Sequence, residues 1–325
     1  MKISVIVTSY NQKKYLVQAL HSVLDQTFRP HEIIVCDDFS RDGSQEIIQS
    51  FQVRFPDLIK PVFQKKNLGV TKNRNIGIKM AKGDFITTLD GDDLYLPEKL
   101  GKEAEKSIKE GADLVYSNLL YMDENGDKTG IRYKNNKMAE GCLFERIATL
   151  KLPAPREVFI ARSCIEQMGF QDESLSINED FEWIVRFASQ FSFVAVKEPL
   201  VMHRIHSKGL SQSNRLLLLE TQKQVVEKMI RLVDKSIVKD KQQTFQKLSA
   251  FLNLTRARIA AYKNNTCQAK EFLFKAVCQD LFRSANYDLY MRLLLPGFFK
   301  RQARLPDSLM IGPLALPFYI ARGVL

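Results

Sequence analysis

The sequence predicts an α/β protein that has a mostly parallel sheet flanked by helices, followed by a helical C-terminal region. Across residues 3–118, short segments rich in Val and Ile alternate with segments that have helical spacing, which is typical of parallel sheets. After about residue 130 this alternation is lost. From residue 215 onward the apolar spacing is helical throughout.

Individual elements follow from the same patterns, and the Asn125-Gly126 pair indicates a hairpin. The predicted strands are Ile3–Val7, Glu32–Cys36, Ile59–Gln64, Phe85–Leu89, Asp113–Asn118, Glu157–Ala161 and Phe191–Val196, with a further extended stretch at Val201–His206. The predicted helices are Tyr15–Asp25, Gly43–Phe55, Thr71–Ala81, Pro97–Glu110, Leu143–Leu150, Ser163–Gln167, one from Asn178 to Arg186, and 215–234, 240–263, 267–283 and 286–302. No internal repeat is evident.

Polar residues follow three of the predicted strands. Thr8–Asn11 follows the first strand, Asp37-Asp38 the second, and Asp90, Asp92 and Asp93 follow Phe85–Leu89. In a parallel sheet, ligands bind outside the carboxyl ends of the strands. We therefore expect these residues to line one cleft.

Asp90, Asp92 and Asp93 lie within four residues, and no Lys or Arg is adjacent to them in the sequence. Such carboxylates repel one another unless positive charge is present, and carboxylate-rich sites suit Mg²⁺ or Mn²⁺. We expect Gly91 to let the backbone turn sharply here. The alternative is a polar turn that caps the next helix, and an isolated motif of this kind favours that alternative.

Two other nucleotide-binding classes are excluded at the first turn. Thr8–Asn11 contains no G-x-G-x-x-G motif, which a dinucleotide-binding fold requires. It also lacks the glycine-rich loop with a basic residue that a sugar-nucleotide pyrophosphorylase would need.

The cysteines and the apolar runs indicate the compartment. The five cysteines are scattered and have no C-x-x-C spacing, which argues against a disulfide framework or a zinc site and for a reducing compartment. The apolar run Ile3–Val7 is too short for a signal peptide, and no run approaches the ~18 apolar residues of a membrane span. We therefore expect a cytoplasmic protein.

Positive charge is concentrated in the last third of the chain. Residues 215–325 contain 19 Lys and Arg against 8 Asp and Glu, and so carry the whole formal excess of +11. This charge, interleaved with Phe and Leu, favours peripheral binding to an anionic membrane surface. The alternative is a helical cap or oligomerisation element with a solvated basic face. We do not expect a nucleic-acid partner, because no recognition motif is present.

A set of motifs, in order along residues 3 to about 212, resembles the family-2 glycosyltransferases. The motifs are Ser4–Asn11, Asp37–Ser44, Asn67–Val70, Asn73–Gly77, Gly83–Asp93, Met168–Glu173, Glu179-Asp180 with Trp183 and Arg186, and Arg204-x-His206 before Ser211. The resemblance implies a GT-A catalytic domain over residues 1–212, with 213–325 as a separate basic, mainly helical region. It also implies a nucleotide-sugar donor, an inverting transfer, and a carbohydrate or lipid-linked acceptor.

The resemblance also assigns nucleotide-sugar contacts, residue by residue. Asp38 would accept a hydrogen bond from the N3–H of uracil, and Tyr10 would stack on the base. Thr8 and Arg74 would line the same pocket. Asp90 would contact the ribose or a metal-bound water.

The remaining assignments concern the metal and the chemistry. Asp92 would be the direct ligand of Mn²⁺ or Mg²⁺, His206 would close over the diphosphate or the metal, and Asp180 would be the catalytic base. The supporting residues would be Asp37, Asp93 and Glu179. The sequence departs from the family pattern at Phe39, Asn73 and His203, where the family has a small residue, Ala and Tyr.

Each assignment has a structural alternative. Asp180 could be only an acid at a helix N-terminus, and Tyr10 and His206 could serve only in packing. Trp183 and Phe187 are predicted to be core residues. For the whole protein, the alternative to an enzyme is a non-catalytic module of the same fold that binds sugar nucleotides or glycans; such a module should have lost Asp92 or Asp180.

Overall fold

The computed structural model describes residues 1–134, 137–148, 150–175, 177–206 and 215–279. Its strands are β1 (Ile3–Ser9), β2 (Glu32–Asp37), β3 (Ile59–Phe63), β4 (Phe85–Asp90), β5 (Leu94–Tyr95), β6 (Leu114–Met122), β7 (Lys128–Ile131), β8 (Phe159–Ala161) and β9 (Val194–Arg204). Its helices are α1 (Lys13–Leu24), α2 (Ser44–Arg54), α3 (Val70–Met80), α4 (Lys99–Glu110), α5 (Phe144–Ala148), α6 (Arg162–Met168), α7 (Glu179–Ala188), α8 (Arg215–Leu232), α9 (Lys241–Tyr262) and α10 (Thr266–Gln279).

These strands form one sheet in the order β3-β2-β1-β4-β8-β6-β9-β5. β7 lies outside this order and pairs with β6. Neighbours among β1 to β4 are parallel, and so are β6 and β9. β8 lies between β4 and β6 and is antiparallel to both. The predicted mostly parallel α/β fold is therefore confirmed for the described part of the chain.

The centre of the sheet is buried on both faces, as parallel strands covered by helices should be. Every residue of β1 and β2 is buried. Helix α3 approaches these strands closely at Gly77, where a Cβ atom would lie 2.5 Å from Ile6 Cγ2 and 2.8 Å from Cys36 Sγ. Only glycine permits this approach, and it brings α3 down onto the strands whose ends carry the predicted site.

One prediction about the later strands is wrong. Phe191–Val196 and Val201–His206 are not separate elements but contribute to the single strand β9, which ends at Arg204. The pairing with β6 shifts register around Asn118, which lies opposite Pro199. A proline cannot donate to the ladder, so it is accommodated at this irregularity, and the strand continues beyond it.

The described residues fall into two compact units. The first is drawn from Met1–Gly141, Pro155–Phe187 and Phe191–Ser207, and the second from Cys142–Ala154, Ala188–Gln190 and Lys208–Leu325. The predicted boundary between residues 212 and 213 lies outside the described residues, so that division stays a prediction.

Within the second unit, α9 lies against both of its helical neighbours. Arg256 Nη2 donates to Glu227 Oε1 of α8 at 3.1 Å, and Asn253 Nδ2 donates to Gln279 Oε1 of α10 at 2.9 Å. The predicted helix 286–302 lies outside the described residues. No helix within the described ranges is long and apolar enough to cross a membrane.

Candidate active site

The register of the sheet brings the predicted site residues to one edge. Thr8 on β1 pairs with Asp90 on β4, and Ser9 pairs with Asp37 on β2. The loops that follow these three strands therefore meet, as expected from the sequence. β9 runs parallel to β6 and in the same direction as β4, so its carboxyl end delivers His206 to the same edge.

Asp90 contacts three side chains at this edge. Its Oδ1 accepts hydrogen bonds from Thr8 Oγ1 at 2.9 Å and from Arg74 Nη2 at 2.7 Å. Arg156 Nη2 lies 3.7 Å from Asp90 Oδ2. Burial by itself would raise the pKa of Asp90, but the charges of Arg74 and Arg156 outweigh it and hold the pKa well below its usual range. Asp90 is therefore an anion in this site.

The Glu179-Asp180 pair opens helix α7 beside the same group. Arg74 Nη1 donates to Glu179 Oε1 at 3.2 Å. Burial, together with the neighbouring charge of Asp180, raises the pKa of Glu179 to about 7. Asp180 Oδ1 accepts the backbone N–H of Phe181 at 2.7 Å, and Asp180 lines a pocket together with Arg74 and Asp90. Asp180 thus faces a cavity.

Asp92 and His206 are brought together by β9. His206 Nε2 is hydrogen-bonded to Asp92 Oδ2 at 2.8 Å, and this bond raises the pKa of His206. Arg204 Nε donates to the backbone carbonyl of Asp92 at 2.9 Å. Asp92 and His206, which the resemblance assigns to the metal or the diphosphate, are therefore in direct contact although they are 114 positions apart.

Asp93 is fully buried. It accepts hydrogen bonds from the backbone N–H of Arg204 and is paired with His203 Nδ1, both at 2.8 Å. Burial raises the pKa of Asp93 to about 6. His203, which departs from the family pattern, is thus a partner of Asp93. The supporting role of Asp93 stays a prediction.

No Lys or Arg is adjacent to the three aspartates in the sequence, but the fold brings a partner to each of them. Asp90 contacts Arg74, Asp92 contacts His206, and Asp93 contacts His203. These partners come from other parts of the chain, so adjacency in the sequence did not reveal them. Repulsion among the aspartates therefore does not by itself require a metal ion.

The metal-ligating atoms that Asp92 and His206 offer determine which kind of metal site is feasible. Within the described residues, no group of three or more His, Cys, Asp or Glu side chains is arranged to hold a metal ion. Asp92 and His206 are only 18% and 15% exposed, and they present a carboxylate and an imidazole toward each other. Mg²⁺ and Mn²⁺ often take one or two protein ligands and complete their coordination with phosphate oxygens. The residues present fit an ion bound jointly with a diphosphate, and not a cage made by protein alone.

Asp38 and Asp37 have different environments. Asp38 is almost fully buried, and its two carboxylate oxygens accept the backbone N–H groups of Leu68 at 2.7 Å and Gly69 at 2.9 Å. A contact with a base would have to use the remaining lone pairs of these oxygens. Asp37 accepts from Ser40 and Gln45, which fixes the turn after β2.

Two further residues lie at the nucleotide end of the predicted site. Tyr10 is 50% exposed, so its ring is free of the core and accessible for stacking. Asn73 is buried; its Nδ2 donates to the carbonyl of Cys36 at 2.8 Å, and its Oδ1 accepts from Gln64. Asn73 therefore joins α3 to β2 and β3, which accounts for this departure from the family pattern.

Gly91 is needed for a different reason from the one expected. Its φ is not positive, so it does not supply a left-handed turn. A Cβ atom at this position would lie 2.5 Å from Gln12 Oε1 and 2.9 Å from the carbonyl oxygen of Thr8. The glycine therefore allows the loop after β4 to approach the loop after β1.

Arg156 and Glu157 also line the pocket, and they were not predicted from the sequence. They lie just before β8, separated from it by Val158. Because β8 is antiparallel to β4, the residues before β8 lie toward the edge where β4 ends. A prediction of parallel strands places residues before a strand at the opposite edge. The available signal was an adjacent pair of charges between Pro155 and an apolar strand. The predicted core residues Trp183 and Phe187 are buried, as expected.

Known proteins resemble this chain in sequence and in fold. The model of the family described as glycosyl transferase family 2 matches residues 4–165. An uncharacterized glycosyltransferase of Nostoc sp. is 41% identical over 129 residues, which are 40% of this chain and 39% of that protein. The match thus spans about two fifths of that relative.

Solved structures show the same fold at low sequence identity. Residues 1–349 of TarS from S. aureus, in complex with UDP-GlcNAc, align with a TM-score of 0.69 and 19% identity, over 94% of this chain and 93% of that chain. The mannosyltransferase PcManGT from Pyrobaculum calidifontis, in complex with GDP-Man and Mn²⁺, aligns with a TM-score of 0.58 and 14% identity, over 94% and 88%. The resemblance recognised in the sequence is thereby confirmed, and this chain belongs to glycosyl transferase family 2 with a GT-A fold.

Proposed function

We propose that this protein is an inverting glycosyltransferase that moves a sugar from a nucleoside diphosphate to a carbohydrate or lipid-linked acceptor. The sugar is a hexosyl or N-acetylhexosaminyl group, and the preferred nucleotide is UDP. The observation that carries this proposal is the pocket in which Asp180 faces Asp90 and Arg74. It combines the carboxylate that we propose as the general base with the end of β4, where the family motif lies. The fold alone would not support an activity, because one fold serves many functions.

In the proposed reaction, a hydroxyl oxygen of the acceptor attacks the anomeric carbon of the sugar. Asp180 takes the hydroxyl proton as the new bond forms, because an alcohol is a poor nucleophile until that proton is removed. The bond from the anomeric carbon to the diphosphate oxygen breaks on the opposite face, so the configuration inverts. The step leaves Asp180 protonated and releases the nucleoside diphosphate.

Arg74 holds the two ends of the site in place. It donates to Asp90 and to Glu179, so the carboxylate after β4 and the Glu179-Asp180 pair have a fixed separation. Thr8 and Tyr10 lie on the nucleotide side, where Tyr10 is accessible for stacking. Asp92 and His206 would hold Mn²⁺ or Mg²⁺, whose charge stabilises the leaving diphosphate when the ion is bound.

The neighbours support the choice of substrate class. The TarS structure contains UDP-GlcNAc and the PcManGT structure contains GDP-Man and Mn²⁺. We propose the same class of donor and metal for this chain, and a role in the synthesis of a surface polysaccharide or glycoconjugate. We further propose that the basic region from residue 215 onward holds the enzyme at the inner face of a membrane.

The test is a screen for hydrolysis of UDP- and GDP-sugars, with Mn²⁺ or Mg²⁺ and without an acceptor. We expect one donor to be cleaved faster than the others, with release of the nucleoside diphosphate. Binding of a nucleotide sugar with no cleavage in this screen, and no transfer with any added glycan, would favour the non-catalytic alternative.

A further inference from the structure

A charged turn lies in the pocket beside Asp180 and has no role in the function proposed above. Arg156 and Glu157 form this turn, which lies just before β8. The pocket is also lined by Asp90 from β4 and by Val158 and Ile184, so charged and apolar surfaces face the same space.

The backbone of the turn is anchored by hydrogen bonds from a buried polar network. Glu157 has a φ of +46°, and its carbonyl oxygen accepts hydrogen bonds from Lys99 Nζ at 3.1 Å and Thr87 Oγ1 at 3.3 Å. Lys99 is itself fully buried and paired with Glu103 at 2.5 Å. The turn is thus fixed to β4 and α4 through its main chain, and the side chain of Glu157 is not needed for that anchoring.

The side chains of the turn have unused hydrogen-bonding capacity. Glu157 Oε1 accepts from Arg156 Nε at 3.3 Å, but Glu157 Oε2 has no partner among the described residues, although the side chain is only 6% exposed. A buried carboxylate oxygen without a partner is unfavourable and is expected to be satisfied by a ligand. Arg156 Nη2 lies 3.7 Å from Asp90 Oδ2, which is too far for a hydrogen bond. A carboxyl acceptor and a guanidinium donor therefore lie side by side.

This pair matches the chemistry of a sugar ring. A hydroxyl group can donate to the carboxylate while it or its neighbour accepts from the guanidinium. The pocket has three carboxylates, from Asp90, Glu157 and Asp180, against the guanidinium groups of Arg74 and Arg156, so it does not favour a further anionic group. Val158 and Ile184 offer apolar surface to the C–H groups of the ring. A neutral polyol fits these properties better than a phosphate does.

We infer that the Arg156–Glu157 turn binds hydroxyl or amide groups of the transferred sugar and determines which sugar is accepted. The transferred sugar is favoured over the acceptor because Arg156 borders Asp90, which belongs with Thr8 and Arg74 to the nucleotide-sugar side of the site. This inference rests on the proposed function and adds a specificity-determining pair to it.

The test compares affinities for a nucleotide with and without its sugar. UDP, UDP-glucose, UDP-galactose and UDP-N-acetylglucosamine are titrated calorimetrically into the wild type and into Glu157→Met, which keeps the side-chain length but cannot accept the hydrogen bond. The dissociation constant for UDP should not change, whereas that for the best-bound nucleotide sugar should rise about 10- to 100-fold, as expected for a lost hydrogen bond to a charged group. Glu110→Met, at the exposed end of α4, is the matched control and should leave both constants unchanged.

Other outcomes would overturn the inference. Equally weakened binding of UDP and of the nucleotide sugar would assign the turn to the nucleotide site. Unchanged donor affinities with a raised KM for the acceptor would assign the turn to the acceptor. If Glu157→Met does not fold, Arg156→Met, in which a partly exposed side chain is changed, provides the same comparison. Wild-type protein that binds UDP but none of the nucleotide sugars would instead overturn the proposed function. A variant that keeps the wild-type ratio of the dissociation constants for UDP and the nucleotide sugar would overturn this inference alone.

Discussion

Arg74 Nη1 donates a 3.2 Å hydrogen bond to Glu179 Oε1, which joins segments that are 105 residues apart. The same guanidinium donates from Nη2 to Asp90 Oδ1 at 2.7 Å. Because Arg74 is nearly fully buried between two carboxylates, it fixes the distance between the end of β4 and the start of α7. Asp180, the next residue after Glu179, is thereby held beside the pocket.

We predict that Arg74→Met lowers the free energy of unfolding by about 3–5 kcal/mol, because it leaves the buried carboxylates of Asp90 and Glu179 without their partner. Urea denaturation at pH 8 measures this loss. Adding Glu179→Gln to the variant should recover part of it, since one of the two unpaired charges is then removed. Arg29→Met, at an exposed position, is the control. A loss below about 1 kcal/mol in Arg74→Met would contradict the prediction.

The raised pKa of Glu179 predicts a pH-dependent stability difference. The pKa is about 7 in the folded state against an ordinary value of 4.5, so the folded state binds the proton more tightly. The stabilisation is fully present below pH 4.5 and is lost as the pH rises through 7. Between pH 4.5 and pH 8, the free energy of unfolding of the wild type should therefore fall by about 3 kcal/mol relative to that of Glu179→Gln.

Urea denaturation of both proteins across this pH range provides the measurement, and taking the difference removes the contribution of groups that both share. Glu166→Gln, at an exposed position of α6, should show no such trend. A difference between the wild type and Glu179→Gln that is constant with pH would show that Glu179 titrates normally.

If Asp180 is the base, Asp180→Asn keeps its shape but cannot take the acceptor proton. Transfer should fall about 10²–10⁴-fold, whereas UDP affinity should barely change because Asp180 lies outside the predicted nucleotide contacts. Titration of UDP binding and transfer kinetics are measured on the same variant, with Asp57→Asn, at an exposed position, as the control. Near-normal transfer would move the base role to Glu179. Equal loss of binding and transfer would mean that Asp180 serves only to start α7.

We predict that activity needs a divalent ion held through Asp92. Chelation, or Asp92→Ala, should lower turnover by about 100-fold or more, which corresponds to several kcal/mol of Lewis-acid stabilisation. Binding of Mn²⁺ in the presence of UDP, followed by electron paramagnetic resonance, should be lost in Asp92→Ala and weakened in His206→Ala. Asp57→Ala is the control. Full turnover in excess chelator would rule out this role.

The basic region predicts binding to anionic membranes. Sedimentation with vesicles that contain phosphatidylserine should retain the protein at low salt, and neutral vesicles should not. The binding should decline as salt rises, since exposed charges are screened over about 8–10 Å at physiological ionic strength. Binding that is insensitive to both lipid charge and salt would contradict an electrostatic attachment.

The sequence by itself determined strands β1 to β4, the helices between them, and the carboxylates that follow Leu89 and Cys36. These features depend on local patterns, because hydrophobic periodicity and the residues at a strand end lie within a few positions of one another. The parallel arrangement then placed Thr8, Asp37 and Asp90 at one edge without further information.

The tertiary structure alone decided the partners of those residues. Arg74 with Glu179 and Asp92 with His206 are pairs separated by 105 and 114 positions, and no local pattern specifies such contacts. The direction of β8 was equally inaccessible, since a three-residue strand carries no signal for antiparallel pairing. That direction brings Arg156 and Glu157 to the site, because an antiparallel strand starts at the edge where its neighbour ends.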